Sequence, residues 1–227
     1  ERLALARTVE QFGVDDPETI RLAHKLICET LRRKNLIDYV LNSVLAPDHS
    51  LRNFKLGLRA FLRLYTYEML VEGGSHDKAA TIARLGRSIL GWRELRKVEE
   101  TMGKILSVQP EALLRGLGDE GRVSLSTFHP LWFVKYCFRA FGRAEALRIL
   151  KGNVEIPPTY IRVNTLKGSE ENLLRRIEED GVVLEREPHL KHTYRVIESK
   201  QPLTRIRSFR EGLFYVCLLY TSDAADE

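Results

Sequence analysis

Long apolar runs are missing from this chain. None approaches the eighteen or so residues of a membrane-crossing helix, and no signal peptide opens it. No membrane partner is therefore expected. Cysteine is scarce. Cys28, Cys137 and Cys217 are odd in number and widely spaced, which rules out a disulfide framework and a zinc knuckle. Such usage points to a reducing, cytoplasmic compartment. His189 and His192 are near neighbours but have no third ligand, so no metal site is expected. Neither sign of charge dominates: 36 Lys+Arg stand against 31 Asp+Glu, a net charge of +5 and a pI of about 9.1. That excess permits a nucleic-acid partner without requiring one. An initiator methionine is also absent, so the true start is expected upstream. What is present is apolar material, 44% of 227 residues, enough for one large domain or two small ones.

The first half reads as helix after helix. Residues 1–12 form a short amphipathic segment with Leu3, Leu5, Ala6 and Val9 available for burial. Asp15-Asp16-Pro17 is a helix start, a capping acid followed by proline in the first turn. Leu22, Leu26, Ile27 and Leu31 recur at helical spacing. Arg32-Arg33-Lys34-Asn35 ends or bends that helix, and 36–45 continue to a stop at Pro47-Asp48. Residues 52–71 predict the clearest helix, with Phe54, Leu58, Phe61, Leu62, Tyr65 and Met69 on one face. Arg52, Lys55, Arg59 and Arg63 recur on another. Such a stripe can track a phosphate backbone or simply be the solvated face. Asp77 is expected to cap a further helix with Ile82, Leu85 and Ile89 inward. Others follow from Trp92 to Leu106 and from Pro110 to Gly116. Together, 1–118 make an all-α bundle. Gly116-Leu-Gly-Asp-Glu-Gly121 matches a dinucleotide-binding string, but it follows helical residues and sets two acids where a pyrophosphate would lie, so it reads as a surface turn. Residues 119–156 form linking helices. Trp132, Phe133, Tyr136, Phe138 and Phe141 make the densest aromatic cluster, fitted to packing or to stacking on bases.

At Pro157-Pro158 the apolar period shortens from about 3.6 towards 2. In Thr159-Tyr-Ile-Arg-Val-Asn-Thr-Leu-Lys167, Ile161 and Val163 point to one face of a strand. Tyr160, Arg162 and Asn164 point to the other, where they suit an anionic, base-bearing ligand such as RNA. Ser169 can cap a helix over 170–180 that stops at Gly181. Strands are predicted at 182–184, 194–197 and 213–216. The order strand, helix, strand, strand, strand gives residues 157–216 a small α+β domain of the RNA-recognition type, without that module's aromatic signature strand. Arg162, Asn164, Arg175, Arg176, Arg205 and Arg207 are its candidate RNA contacts. Arg52, Lys55, Arg59 and Arg63 are those of the bundle. The fold class is therefore mainly α, a bundle followed by a small α+β domain.

The stretch from Pro157 to Lys167, followed by an acidic helix, resembles the segment ahead of the catalytic domain in prokaryotic RNA 5-methylcytosine methyltransferases. It is most similar to the branch, typified by the 16S rRNA enzyme, with a helical NusB-like domain in front. The resemblance covers about residues 1–216. It implies that the bundle is NusB-like, that the partner is RNA, specifically rRNA, and that the parent enzyme takes a methyl group from S-adenosylmethionine. It also implies that the cofactor loop and the nucleophilic cysteine lie in a doubly wound domain beyond Val216, so no catalytic residue is expected in this chain. Cys28 and Cys137 read as packing residues, and Cys217 lacks the family's cysteine context. Residues 217–227 depart from the family's pattern and read as a non-native or disordered tail. The alternatives are a stand-alone NusB-like RNA-binding or antitermination module, and an adaptor that contacts proteins through its bundle.

Overall fold

The computed structural model describes residues 2–46 and 50–218. Contacts divide the chain into a first compact unit, Glu1–Val154, and a second that begins at Glu155.

The first unit is helical: α1 Arg2–Phe12, α2 Pro17–Arg32, α3 Lys34–Val44, α4 Leu56–Leu70, α5 His76–Leu90, α6 Trp92–Arg96, α7 Glu99–Ile105, α8 Pro110–Arg115, α9 Asp119–Ser126 and α10 Leu131–Gly152. α2 starts as its residues dictate. The Asp16 carboxylate accepts from the backbone N–H of Glu18 and Thr19, and Pro17 occupies the first turn, where its missing N–H costs nothing. α4 is the axis of the bundle and touches α2, α3, α5 and α7. Its Leu58, Leu62 and Tyr65 are buried with Ile37, Leu41, Leu95 and Ile105. Burying side chains of that size contributes about 1.5–3 kcal/mol each. α10 is interrupted at Gly142, whose φ of 71° is left-handed and suits glycine.

Several expectations change. The helix expected over 52–71 begins at Leu56, because residues 51–53 form a separate 3-10 turn capped by Ser50. Ser75, not Asp77, caps α5 by accepting from the Lys78 N–H. Leu85 and Ile89, expected inward, are exposed, and α5 turns Ala79 and Gly86 to the core instead. α1 buries none of its residues. Trp132, Tyr136 and Phe141 are at least half exposed. Pro47 and Asp48, the expected helix stop, lie outside the described residues.

α9 and α10 build a smaller core of Val123, Val134, Cys137, Ala146 and Leu150. Cys137 is thus a packing residue. Asn35 in α3 fastens this pair to the bundle: its Nδ2 donates to the carbonyls of Ser124 at 3.0 Å and His129 at 3.1 Å. The Ser124 hydroxyl also donates to the His129 carbonyl, at 2.7 Å.

The second unit runs β1 Thr159–Val163, α11 Glu170–Glu179, β2 Val182–Arg186, β3 Thr193–Ser199, α12 Arg207–Arg210 and β4 Phe214–Cys217. The sheet order is β2-β3-β1-β4, with every pairing antiparallel. The short α12, unforeseen in the sequence, converts the expected strand order into βαββαβ. Ile161 and Val163 pack with Leu173 and Ile177 of α11 and with Ile206, Leu213 and Phe214. Ser169 stands at the N-cap of α11, but its hydroxyl makes no capping bond. Gly181 ends the segment with a φ of 84°. Cys217, assigned from the sequence to the tail, is the last residue of β4, is buried, and pairs with Tyr160. The tail from residue 219 onward lies outside the described residues.

Replacing Asn35 with alanine removes the side-chain donor of the Ser124 carbonyl and leaves the His129 carbonyl with the Ser124 hydroxyl alone. Asn35→Ala should lower the unfolding free energy of the first unit by about 1–3 kcal/mol, measured by urea titration. An unchanged midpoint would show that the turn is held without it.

Candidate nucleic-acid interface

Antiparallel partners share a face of the sheet. β1 is central, so its two registers decide what surrounds Arg162. Arg162 lies opposite Thr193 on β3 and Tyr215 on β4, while Tyr160 lies opposite Arg195 and Cys217. Ile161 and Val163 point to the helical side. The other face therefore gathers Tyr160, Arg162, Arg195 and Tyr215. Arg162 and Tyr160 are half-buried, and Arg195 and Tyr215 are exposed. Arg195 reaches Glu185 on β2 at 3.9 Å, a loose ion pair that an anion can displace. The buried Thr193 and Cys217 share that face, and arginine beside tyrosine on it is chemistry for phosphate and base together.

Tyr215 and Arg195 were not singled out as contacts from the sequence. The alternation in Phe214-Tyr215 hinted at an outward tyrosine, but only the register places it beside Arg162.

Asn164 differs from expectation. It follows the strand and caps a 3-10 turn at 165–167. Its Nδ2 donates to the Gly212 carbonyl at 3.0 Å, and its Oδ1 accepts from the Leu166 N–H at 3.3 Å. Its carboxamide thus ties the end of β1 to the turn before β4, with one N–H and one oxygen lone pair committed.

The remaining candidates of the second unit separate. Arg176 and Arg207 meet on one carboxylate, Glu211, with Arg207 Nε 2.6 Å from Oε1. The Arg207 hydrogen bond holds the Glu211 carboxyl below its usual range, and Arg176 adds to this. Asp180 lies beside the same pair and accepts from the Ser208 backbone N–H at 2.7 Å. Two arginines facing two carboxylates make a nearly neutral cluster, a weaker attraction for RNA than the sequence suggested. Arg175 and Arg205 are exposed on α11 and on the turn at 203–205.

The stripe of the first unit also divides. Lys55 pairs with Glu94 at 3.2 Å. Arg63 is held by Asp38 through two hydrogen bonds, 2.7 and 2.9 Å. Arg52, Arg59 and Arg63 line one polar cleft of about 350 Å³ with Lys34, Asp38 and Asn42. Lys34, read from the sequence only as part of a helix end, is thereby added to the basic residues.

On the helical side, Glu170 at the start of α11 supports the sheet. It accepts from the Tyr194 hydroxyl and lies 2.9 Å from His192 Nδ1. The tyrosine bond, with help from His192, holds the Glu170 carboxyl below its ordinary value against the opposing effect of burial. Tyr194 is pushed up to about 12, by burial first and by Glu170 second.

Residues 129–201 match the family model described as Methyltr_RsmF/B-like, ferredoxin-like domain. That third of the chain is similar to the ferredoxin-like domain of the RsmF/B-like methyltransferases. The βαββαβ order of the second unit is that of a ferredoxin-like domain, and its last strand lies beyond the matched residues. Among curated proteins, the chain is 25% identical over 177 residues to the one named Probable ribosomal RNA small subunit methyltransferase B of Bacillus subtilis (strain 168). The match takes in 73% of this chain and 37% of that relative's length. Among solved structures, that of PH0851 covers 93% of this chain and 47% of its own, at a TM-score of 0.65 and 18% identity, a likeness of fold.

Methyltransferases of this kind imply S-adenosylmethionine. The described residues do not fit it. The string Gly116–Gly121 runs from the end of α8 into α9, without a preceding strand, and Asp119 and Glu120 occupy the first turn. The sheet contains no parallel pair. No step is therefore assigned to that cofactor in these residues. Among the described residues no helix is long and apolar enough to cross a membrane.

The pH dependence of the second unit follows from Glu170. Its folded value lies below the ordinary 4.5. Its contribution is therefore complete above that pH and fades as pH falls through the folded value. Glu170→Gln should cost about 1.5 kcal/mol at pH 7, with the difference from wild type shrinking as pH falls below the ordinary 4.5. A pH-independent difference in urea unfolding would contradict the assignment.

Proposed function

We propose that this chain is the RNA-binding region of an S-adenosylmethionine-dependent rRNA cytosine-5 methyltransferase. In this reading it positions structured rRNA, in the cytoplasm, for a catalytic domain outside these residues. The bundle is taken to be of the NusB-like kind, and the methyl donor and nucleophilic cysteine belong to the further domain. One observation carries the reading: the outer sheet face that brings Arg162 and Tyr215 together, on the domain that matches the RsmF/B-like model. The 25% identity to the Bacillus subtilis protein supports the choice of rRNA over other RNA.

The division of labour on that face follows from side-chain chemistry. The Tyr215 ring offers a flat surface on which any base can stack, at about 1–3 kcal/mol per base. The Arg162 guanidinium offers parallel N–H donors to a phosphate. These two contributions respond differently to salt, because only the second releases counterions.

Titration of a small-subunit rRNA fragment at several salt concentrations separates them. Tyr215→Ala should weaken binding by about 1–3 kcal/mol and leave the salt slope unchanged. Arg162→Ala should reduce the slope of log affinity against log salt by about 0.7 for a single-stranded contact. Each variant is checked first for intact folding. If both variants bind as wild type does, the sheet face is not the RNA surface.

A further inference from the structure

The cleft beside α4 has the composition of an anion site, and the charge count separates it from the other basic clusters. Lys34, Arg52, Arg59 and Arg63 line it, with Asp38 as the one carboxylate among the described lining residues. Both oxygens of Asp38 are engaged by Arg63, Oδ1 with Nε at 2.7 Å and Oδ2 with Nη2 at 2.9 Å. Asp38 therefore fixes the orientation of Arg63, whose Nη1 takes no part in that pair. The Arg176–Arg207 cluster, by contrast, meets Glu211 and Asp180 in equal number.

A second observation is independent of charge. The Nε of Arg59 is buried and has no hydrogen-bond partner among the described residues. Buried donors are nearly always satisfied, and this one belongs to a side chain lining the cleft. Two neutral donors line the same cleft. Asn42 uses its Oδ1 to accept from the Leu51 N–H at 3.5 Å, which leaves its amide N–H groups. The Ser50 oxygen accepts from the Arg52 N–H at 3.4 Å, which leaves the hydroxyl proton. The break in the helix expected over 52–71 makes the arrangement possible. Leu51 is buried and anchors the 3-10 turn, so Arg52 approaches the cleft from a different element than Arg59 and Arg63.

We propose that this cleft binds one phosphate group, and that in the working protein the group is a backbone phosphodiester of the RNA substrate. The source of the phosphate rests on the RNA-binding reading; the anion site itself does not. Arginine forks match the paired oxygens of a phosphate. A donor set drawn from α3, the 3-10 turn and α4 surrounds one such group better than it follows an extended strand. Lys55, turned to Glu94, is outside the site.

The test uses the full chain and two probes. Titration with inorganic phosphate, followed through arginine Nε–Hε resonances in nitrogen-correlated NMR spectra, should shift the Arg59 and Arg63 signals saturably. Arg59→Gln should abolish the shift at Arg63. In rRNA-fragment titrations the same variant should lower the salt slope by about 0.7. Arg52→Gln, on the exposed turn, should weaken phosphate binding and serves if Arg59→Gln does not fold. Phosphate that leaves both arginine signals unmoved overturns the site, even if RNA still binds through the sheet face. Saturable phosphate shifts with an unchanged RNA slope in Arg59→Gln overturn the RNA source and identify free phosphate as the ligand. Loss of RNA binding in Tyr215→Ala alone, with Arg59→Gln silent on both probes, overturns this proposal and leaves the RNA-binding reading standing.

Discussion

β1 is hydrogen-bonded along both edges, to β3 on one side and to β4 on the other. A strand held that way cannot slip by one residue without moving Ile161 and Val163 out of the core and Arg162 into it. Burial of Ile161 and Val163 against α11 thus fixes the outward direction of Arg162 and Tyr160. The same two registers fix which side chains stand next to them. The polar face is a consequence of core packing, because every outward residue is set by an inward neighbour.

In the first unit the constraint is the burial of α4. A helix that touches four others has little surface left for charge, yet α4 carries Arg59 and Arg63. Arg63 is accommodated by a carboxylate on α3. Arg59 is half-buried, with its Nε unpartnered among the described residues. Leaving such a donor unsatisfied costs about 1–3 kcal/mol. The arginines and lysines of these clusters thereby differ. Arg176, Arg207 and Lys55 are neutralised by neighbouring acids, whereas the cleft retains an excess of positive charge.

Much of the second unit was legible from its residues. Pro157-Pro158 excludes helix, and the alternation through Val163 assigns the buried face. The helix over 170–180 and its glycine stop follow from local chemistry. What escaped depends on long-range pairing. Tyr215 and Arg195 join the face only through register, and α12 is one turn long, too short to show a period. Asn164 looked like a strand residue because its parity continued, but its carboxamide caps the following turn. In the bundle, Asp77 and Ser75 are both competent caps, and tertiary geometry chose the serine. Ile89 fitted an apolar period, yet Gly86 and Ala79 face the core because small residues let α5 lie close to Phe61 of α4, whose ring approaches Gly86. The four-residue stripe was legible as spacing, but its division between Glu94 and the cleft was not, because the 3-10 turn at 51–53 breaks the helix it was drawn on.

The central claim is that RNA meets this chain on the outer face of the sheet. Ultraviolet cross-linking of the full chain to a small-subunit rRNA fragment, with the attached peptides identified by mass spectrometry, tests it most directly. The account predicts nucleotide adducts on peptides containing Tyr160 or Tyr215. Adducts confined to the exposed aromatic residues of α10 or to α1 and α2, with none between 159 and 163 or between 214 and 217, would contradict it.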